Sequence, residues 1–223
     1  MRRLKTIVNI LCAGLCVGLA ASGCGDGDGA LGESATVTGN IDSWSEGAGY
    51  SVSARAFDSQ LQLTEVASGT IEPNGAFSLV LPKSEAITPY LSPYSPQGSA
   101  VCSSQPTVAP SELRALSLVL FAKKAGSPDI ALLSTSGKPS TPMAGDTGAN
   151  FLYADRDAKI SGQAKCDSAS TSMISDYALE LHKGWNIALT KYSEYSISPS
   201  GGRIVSETHN GSLPAEVRWQ KAK

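Results

Sequence analysis

Ile71-Glu72-Pro73-Asn74-Gly75-Ala76-Phe77 is a turn between two alternating apolar stretches, and its loop length decides the fold. Read as a three-residue loop, Pro73-Asn74-Gly75 pairs Ile71 with Phe77, Gly69 with Leu79 and Ala67 with Leu81, so the apolar positions share one face. A two-residue Asn74-Gly75 loop sets Ile71 opposite Ser78 and turns the apolar sets to opposite faces of the sheet. Pro, Asn and Gly in that order suit a type I turn closed by a residue of positive φ. Leu181-His182-Lys183-Gly184-Trp185 reads the same way, pairing Leu181 with Trp185, Leu179 with Ile187 and Tyr177 with Leu189. Two such hairpins predict an antiparallel sheet.

The rest of the chain agrees. Period-two segments rich in β-branched and aromatic residues recur at 35–42, 50–58, 61–71, 76–81, 116–123, 130–134, 151–154, 159–164, 177–181, 185–192, 203–208 and 216–220, with Gly, Pro, Ser and Asn between them. Ser111-Glu112-Leu113-Arg114-Ala115-Leu116 alone hints at a helical turn. The expected class is all-β, an antiparallel sandwich-like body, as one disulfide-linked unit or two small subdomains. Residues 82–110 hold six of the twelve prolines and predict a long irregular connection. A Gly-, Pro-, Ser- and Thr-rich loop at 134–150 divides a first half, 35–133, from a second, 150–223.

The N-terminus has a different grammar. Arg2, Arg3 and Lys5 precede an apolar run from Ile7 to Ala21, and Ala21-Ser22-Gly23 are small residues before Cys24. This is the order of a secretory signal, and the run is shorter than the roughly 20 residues that cross a bilayer as a helix. Leu19-Ala20-Ala21-Ser22-Gly23-Cys24 resembles the bacterial lipobox, with Ala21 where that family usually has Leu. The resemblance implies acylation of Cys24, with residues 1–23 removed and the chain anchored to a membrane facing the extracytoplasmic side. Plain cleavage after Ala21 or Gly23 is the alternative. Cys12 and Cys16 each follow leucine and fit less well. The polar, glycine-rich start of residues 24–34 predicts a flexible tether.

Removing residues 1–23 leaves 200 residues and a net charge of −5. Lysines and arginines are scattered singly, with no basic stripe, so nucleic acid is not an expected partner. Cys102 and Cys166 are the even pair that remains, and an oxidising compartment makes them a disulfide. Closing a loop of about 65 residues stabilises by about 4 kcal/mol in the chain-entropy model. A two-thiol metal site or redox pair lacks Cys-x-x-Cys spacing, and His182 and His209 show no ligand spacing toward it.

No residue set has catalytic spacing. His182 is placed at a hairpin turn and His209 at another turn by composition. Asp155 and Asp157, with Asp146 upstream, are the best acidic cluster: they are either a weak calcium site or turn carboxylates paired with Arg156 or Lys159. Asp26-Gly27-Asp28-Gly29 lacks the later ligands of a calcium loop. Trp185 reads as core, whereas Tyr192-Ser193-Glu194-Tyr195, at a strand end, is the candidate ligand platform alongside Trp44 and Trp219. No cofactor is expected.

Thr36-Val37-Thr38-Gly39-Asn40-Ile41, Val52-Ser53-Ala54-Arg55-Ala56, Gly69-Thr70-Ile71 and Asn74-Gly75-Ala76-Phe77-Ser78-Leu79-Val80-Leu81-Pro82 together resemble the carboxypeptidase-regulatory-like, transthyretin-like sandwich modules of bacterial surface proteins. Such modules are mostly non-catalytic spacers and binding scaffolds. Phe151-Leu152-Tyr153-Ala154-Asp155-Arg156-Asp157 and Leu179-Glu180-Leu181-His182-Lys183-Gly184-Trp185-Asn186 are similar to segments of uncharacterised bacterial secreted proteins and lipoproteins, which bring no activity with them. The expected function is a membrane-anchored, non-catalytic structural or binding module of the cell envelope, with other envelope proteins or glycans as partners. The alternative is an extracytoplasmic hydrolytic enzyme using loop carboxylates.

Overall fold

The computed structural model describes residues 28–57, 62–95, 102–138, 142–167, 171–198 and 201–222. Strands follow one another as β1 (Ala30–Gly32), β2 (Thr36–Asn40), β3 (Ser51–Phe57), β4 (Leu63–Ile71) and β5 (Ala76–Val80). A single helical turn, α1 (Ser84–Ile87), precedes β6 (Ser92–Pro93), β7 (Cys102–Ser104), β8 (Thr107–Ala109), β9 (Arg114–Ser117) and β10 (Val119–Lys123). The chain continues through β11 (Ile130–Thr135), β12 (Thr147–Ala154), β13 (Ala158–Asp167), β14 (Thr171–Leu181), β15 (Gly184–Ser198), β16 (Gly201–Asn210) and β17 (Arg218–Lys221). The protein is all-β and sandwich-like.

The 71–77 turn forms as its residues dictate. Ile71 pairs with Phe77, Glu72 N–H donates to the Ala76 carbonyl at 2.7 Å, and Gly75 N–H to the Glu72 carbonyl at 2.9 Å. Asn74 Oδ1 accepts from Ala76 N–H at 3.0 Å. Gly75 sits at φ +89°, and a Cβ there would lie 2.6 Å from Trp44 Cβ, so glycine is required twice over. The expected register then stops early. The ladder ends at Thr70↔Ser78, and β5 turns its other edge to β2, with Val37↔Leu79. The pairs Gly69–Leu79 and Ala67–Leu81 are not made.

Strand pairings run in a closed ring through β2, β5, β4, β3, β10, β11 and β17. A parallel bridge between Ile41 and Trp219 shuts it, with Asp42 N–H donating to the Trp219 carbonyl at 2.7 Å. A second sheet, joined to the ring by the β11–β12 ladder, runs β9–β12–β15–β16–β14–β13, with β7 and β8 on its far edge. β14 and β16 are parallel, the one departure among the ladders from the antiparallel expectation.

Two cores result, and β12 and β15 are the wall between them. Phe151, Tyr153, Trp185, Ile187 and Leu189 face the ring interior, joining Phe77, Leu79, Leu120 and Trp219. Leu152, Ala154 and Ala188 face the other way, against Ile160, Leu179 and Leu181. Both faces of these strands are therefore buried, which is why the alternation of 151–154 is lost in burial while its side chains still alternate between cores. Residues from 35–133 and 150–223 thus share the first core.

The second expected hairpin is corrected. Leu181 pairs with Ala158 and Trp185 with Tyr153, because β16 lies between β14 and β15. A short link crosses above the end of β16, and Asn186 holds it. This side chain is fully buried; its Oδ1 accepts from His182 N–H at 3.0 Å, and its Nδ2 donates to the His182 and Gly184 carbonyls at 2.7 and 2.9 Å. Asn186→Ala strips three partners from buried backbone, and the expected loss is about 2–3 kcal/mol, measured as a lower urea midpoint at unchanged slope; an unchanged midpoint would refute this role. Gly184, at φ +105°, is needed for close approach: a Cβ would meet the Gly32 carbonyl oxygen at 2.5 Å.

Three further expectations change. Residues 28–34 are not tether: Ala30 pairs with Asn186 and Gly32 with Trp185, and Leu31 packs against the first core. Residues 111–116 form a turn entering β9, because Leu116 and Ala115 are drawn into pairing with Tyr153 and Ala154. The proline-rich 82–110 stretch carries α1, β6, β7 and β8.

Candidate functional site

Cys24 lies outside the described residues. The end of the body nearest to it in sequence is built on β1 and the 181–184 link. His182 Nε2 is 3.1 Å from Asp28 Oδ2, and Lys183 Nζ is 3.1 Å from Glu33 Oε1. Tyr153 donates its hydroxyl to Glu33 Oε2 at 3.0 Å. The Lys183 ammonium and that phenol hold the Glu33 carboxyl below its ordinary range, while burial pushes the Tyr153 phenol up. Trp185 donates its indole N–H to the Pro82 carbonyl at 2.9 Å and is fully buried, as expected of a core residue. Its neighbours are Tyr153, edge-on at 5.2 Å, and Ile187; Leu179 lies in the other core.

Cys102 and Cys166 form the expected disulfide, with Cα atoms 4.0 Å apart. They are register partners at the far edge of the second sheet.

The acidic cluster does not converge. Burial raises the Asp155 carboxyl, but hydrogen bonds from the Arg156 guanidinium, 2.9 Å away, and from Arg114 N–H at 3.0 Å outweigh it, and the carboxyl titrates below its ordinary range. Asp157 instead accepts Lys183 N–H at 2.7 Å, and Asp146 accepts Met143 N–H at 2.8 Å. Lys159 pairs with Glu180. Among the described residues no three His, Cys, Asp or Glu side chains gather as metal ligands. His182 is exposed at its turn. His209 is not in a turn but in β16, exposed, opposite Leu189 and Ala178.

The aromatic candidates separate. Trp44 packs edge-on against Tyr50 at 5.1 Å, with the Lys221 ammonium over its ring. Trp219 is core, edge-on to Phe77 at 5.3 Å and stacked on Phe151 at 6.1 Å. Tyr192 and Tyr195 meet edge-on at 5.5 Å, and burial pushes the Tyr192 phenol up.

Tyr192 also borders a pocket of about 230 Å³. One edge of β11 pairs first with β10, ending at Leu120↔Leu132, and then with β12, from Ser134↔Ala149. β10 and β12 diverge there, tied at the apex by Leu118 N–H donating to the Phe151 carbonyl at 3.1 Å. The fork opens onto Phe151 and Trp219, and Ser134, in its wall, has a buried hydroxyl without a hydrogen-bond partner among the described residues. Sequence reasoning reached Tyr192 but missed this pocket, because nothing local marks the residue at which a strand changes partner. A second pocket, about 260 Å³, lies between Phe57, Tyr90 and Tyr94.

The fold and these sites define an all-β, disulfide-linked protein with small pockets of mixed apolar and polar lining. No family model, curated protein or solved structure matches the chain.

Proposed function

We propose that the chain is a lipid-anchored, non-catalytic protein of the bacterial cell envelope, held on the extracytoplasmic side by acylated Cys24 and serving as a structural or binding module. The observation that carries this is the run of basic head, apolar segment and Ala-Ser-Gly immediately before Cys24. A disulfide between the only other cysteines of the cleaved chain suits an oxidising compartment. The best acidic residues are occupied by Arg156, Lys183 and Met143 rather than grouped around a reacting centre.

Anchoring fixes an orientation. Four residues of chain from Cys24 to Asp28 span at most about 14 Å, so the end bearing β1, Glu33 and the 181–184 link faces the bilayer. Ion pairs there, such as Lys183–Glu33, contribute about 1 kcal/mol or less to stability. In Cys24→Ala, membrane association and incorporation of a labelled fatty acid are both lost, while the parent partitions into the detergent phase. Unchanged partitioning of the variant overturns the anchoring.

A further inference from the structure

We propose that the outer edge of β15, from Glu194 to Ser198, pairs with the same edge of a second copy of this chain, in an antiparallel ladder centred on Ser196. The inference rests on the sheet alone; it goes beyond the envelope reading and does not depend on the fate of Cys24.

The edge is open. The β12 ladder ends at Thr147↔Lys191, and Tyr192 then exchanges backbone hydrogen bonds with Gly145 and Asp146. Past that point β15 runs on beside β16, and no described residue pairs with its other side. Free sheet edges are usually blunted by lysine, proline or an inward-pointing charge. Ser193-Glu194-Tyr195-Ser196-Ile197 holds no lysine and no proline, and its one charge, Glu194, is paired with Arg203 at 2.9 Å. Ile197 is left 62% exposed.

The backbone also shows which groups face outward. Arg203 N–H donates to Ser196 Oγ at 3.3 Å, and a Cβ on Gly202 would meet the Ser196 carbonyl oxygen at 2.7 Å. Ser196 therefore turns its backbone groups towards β16. Those directions alternate along a strand, so Tyr195 and Ile197 turn their N–H and C=O to the open side. A twofold axis through Ser196 sets Tyr195 of one copy opposite Ile197 of the other, on both sides of the axis. Each pair exchanges both N–H···O=C bonds and lays an aromatic ring against a β-branched side chain on the same face. Tyr192 already braces that ring edge-on at 5.5 Å. Glu194 falls opposite Ser198 in this register, so the two carboxylates do not meet. A foreign strand would have to supply this match; a second copy carries it by symmetry.

The test is sedimentation of the full-length, detergent-solubilised protein over a concentration series, which should show a monomer–dimer equilibrium. Tyr195→Lys with Ile197→Lys sets like charges opposite each other at both pairs and should weaken the dimer about tenfold or more. Tyr195→Lys with Ile197→Glu sets opposite charges in the same two places and should retain it. Ser196→Cys puts two thiols across the axis with Cα atoms about 4.5 Å apart, within disulfide reach, and should cross-link on oxidation. Ser193→Cys, also exposed, should not. A monomer at every concentration overturns the proposal. Equal dimer strength in the two charge variants overturns it, as does equal cross-linking at 193 and 196. Slow hydrogen exchange at Tyr195 and Ile197 in a monomer places another part of the chain on this edge and overturns it too. If either charge variant fails to fold, the two cysteine substitutions decide.

Discussion

Trp219→Ala is expected to cost about 3–5 kcal/mol, the range for truncating a large aromatic side chain in a packed core. Three roles meet in this residue. Its ring lies between Phe77, edge-on, and Phe151, stacked. Such pairs add about 0.5–1.5 kcal/mol each beyond the area they bury. The residue is 7% exposed, so truncation opens a void that strands on three sides cannot fill. Its backbone also supplies the Ile41 bridge and the carbonyl that takes Asp42 N–H, the only closure of the seven-strand ring among the described residues. At about 2–4 °C per kcal/mol for a chain of this size, the thermal midpoint should fall by about 6–20 °C. Trp44→Ala is the comparison: that ring is half-buried at the surface beside Tyr50, and the expected loss is about 1 kcal/mol. Equal losses for the two tryptophans would show that the Trp219 ring does not anchor this core.

Cys102→Ser with Cys166→Ser is expected to lower stability by about 2–4 kcal/mol. The cross-link joins residues 64 apart in sequence, so its removal frees a long loop in the unfolded chain. In the folded chain it secures β7, a three-residue strand whose ties to β13 also include Lys165↔Ser104 and the Ser103 hydroxyl on the Lys165 carbonyl at 3.2 Å. Urea unfolding with and without reductant measures the effect, and hydrogen exchange should show the earliest loss of protection at 102–104. Identical midpoints in the two conditions would refute the assignment of stabilising work to this bond.

The parts of the fold legible in the sequence are those where neighbours in the chain are neighbours in the sheet. Pro73-Asn74-Gly75 sets the β4–β5 turn because loop length, proline φ and glycine at positive φ act within seven residues. The Cys102–Cys166 pair was legible for another reason: once Cys24 is assigned to a lipid, two thiols are left to meet. Leu181 to Trp185 misled because its composition satisfies a three-residue turn equally well. What decided there was competition: β13 offers Leu181 a long antiparallel ladder, β12 offers Trp185 another, and β16 slots between them. Asp155 and Asp157, adjacent but one in sequence, found separate partners because the turn sends them to Arg156 and to Lys183 N–H.

Alternation, turn chemistry and cysteine arithmetic by themselves determined that this protein is all-β, that 71–77 reverses the chain after Ile71, and that Cys102 is joined to Cys166. These follow from forces acting over a few residues or from elimination among a few candidates. The closure of the ring by Trp219, the shared wall of β12 and β15, and the fork at Ser134 were decided only by tertiary structure. A strand's alternating pattern states which residues are buried, not which partner buries them; that choice is made by ladders competing across the whole chain.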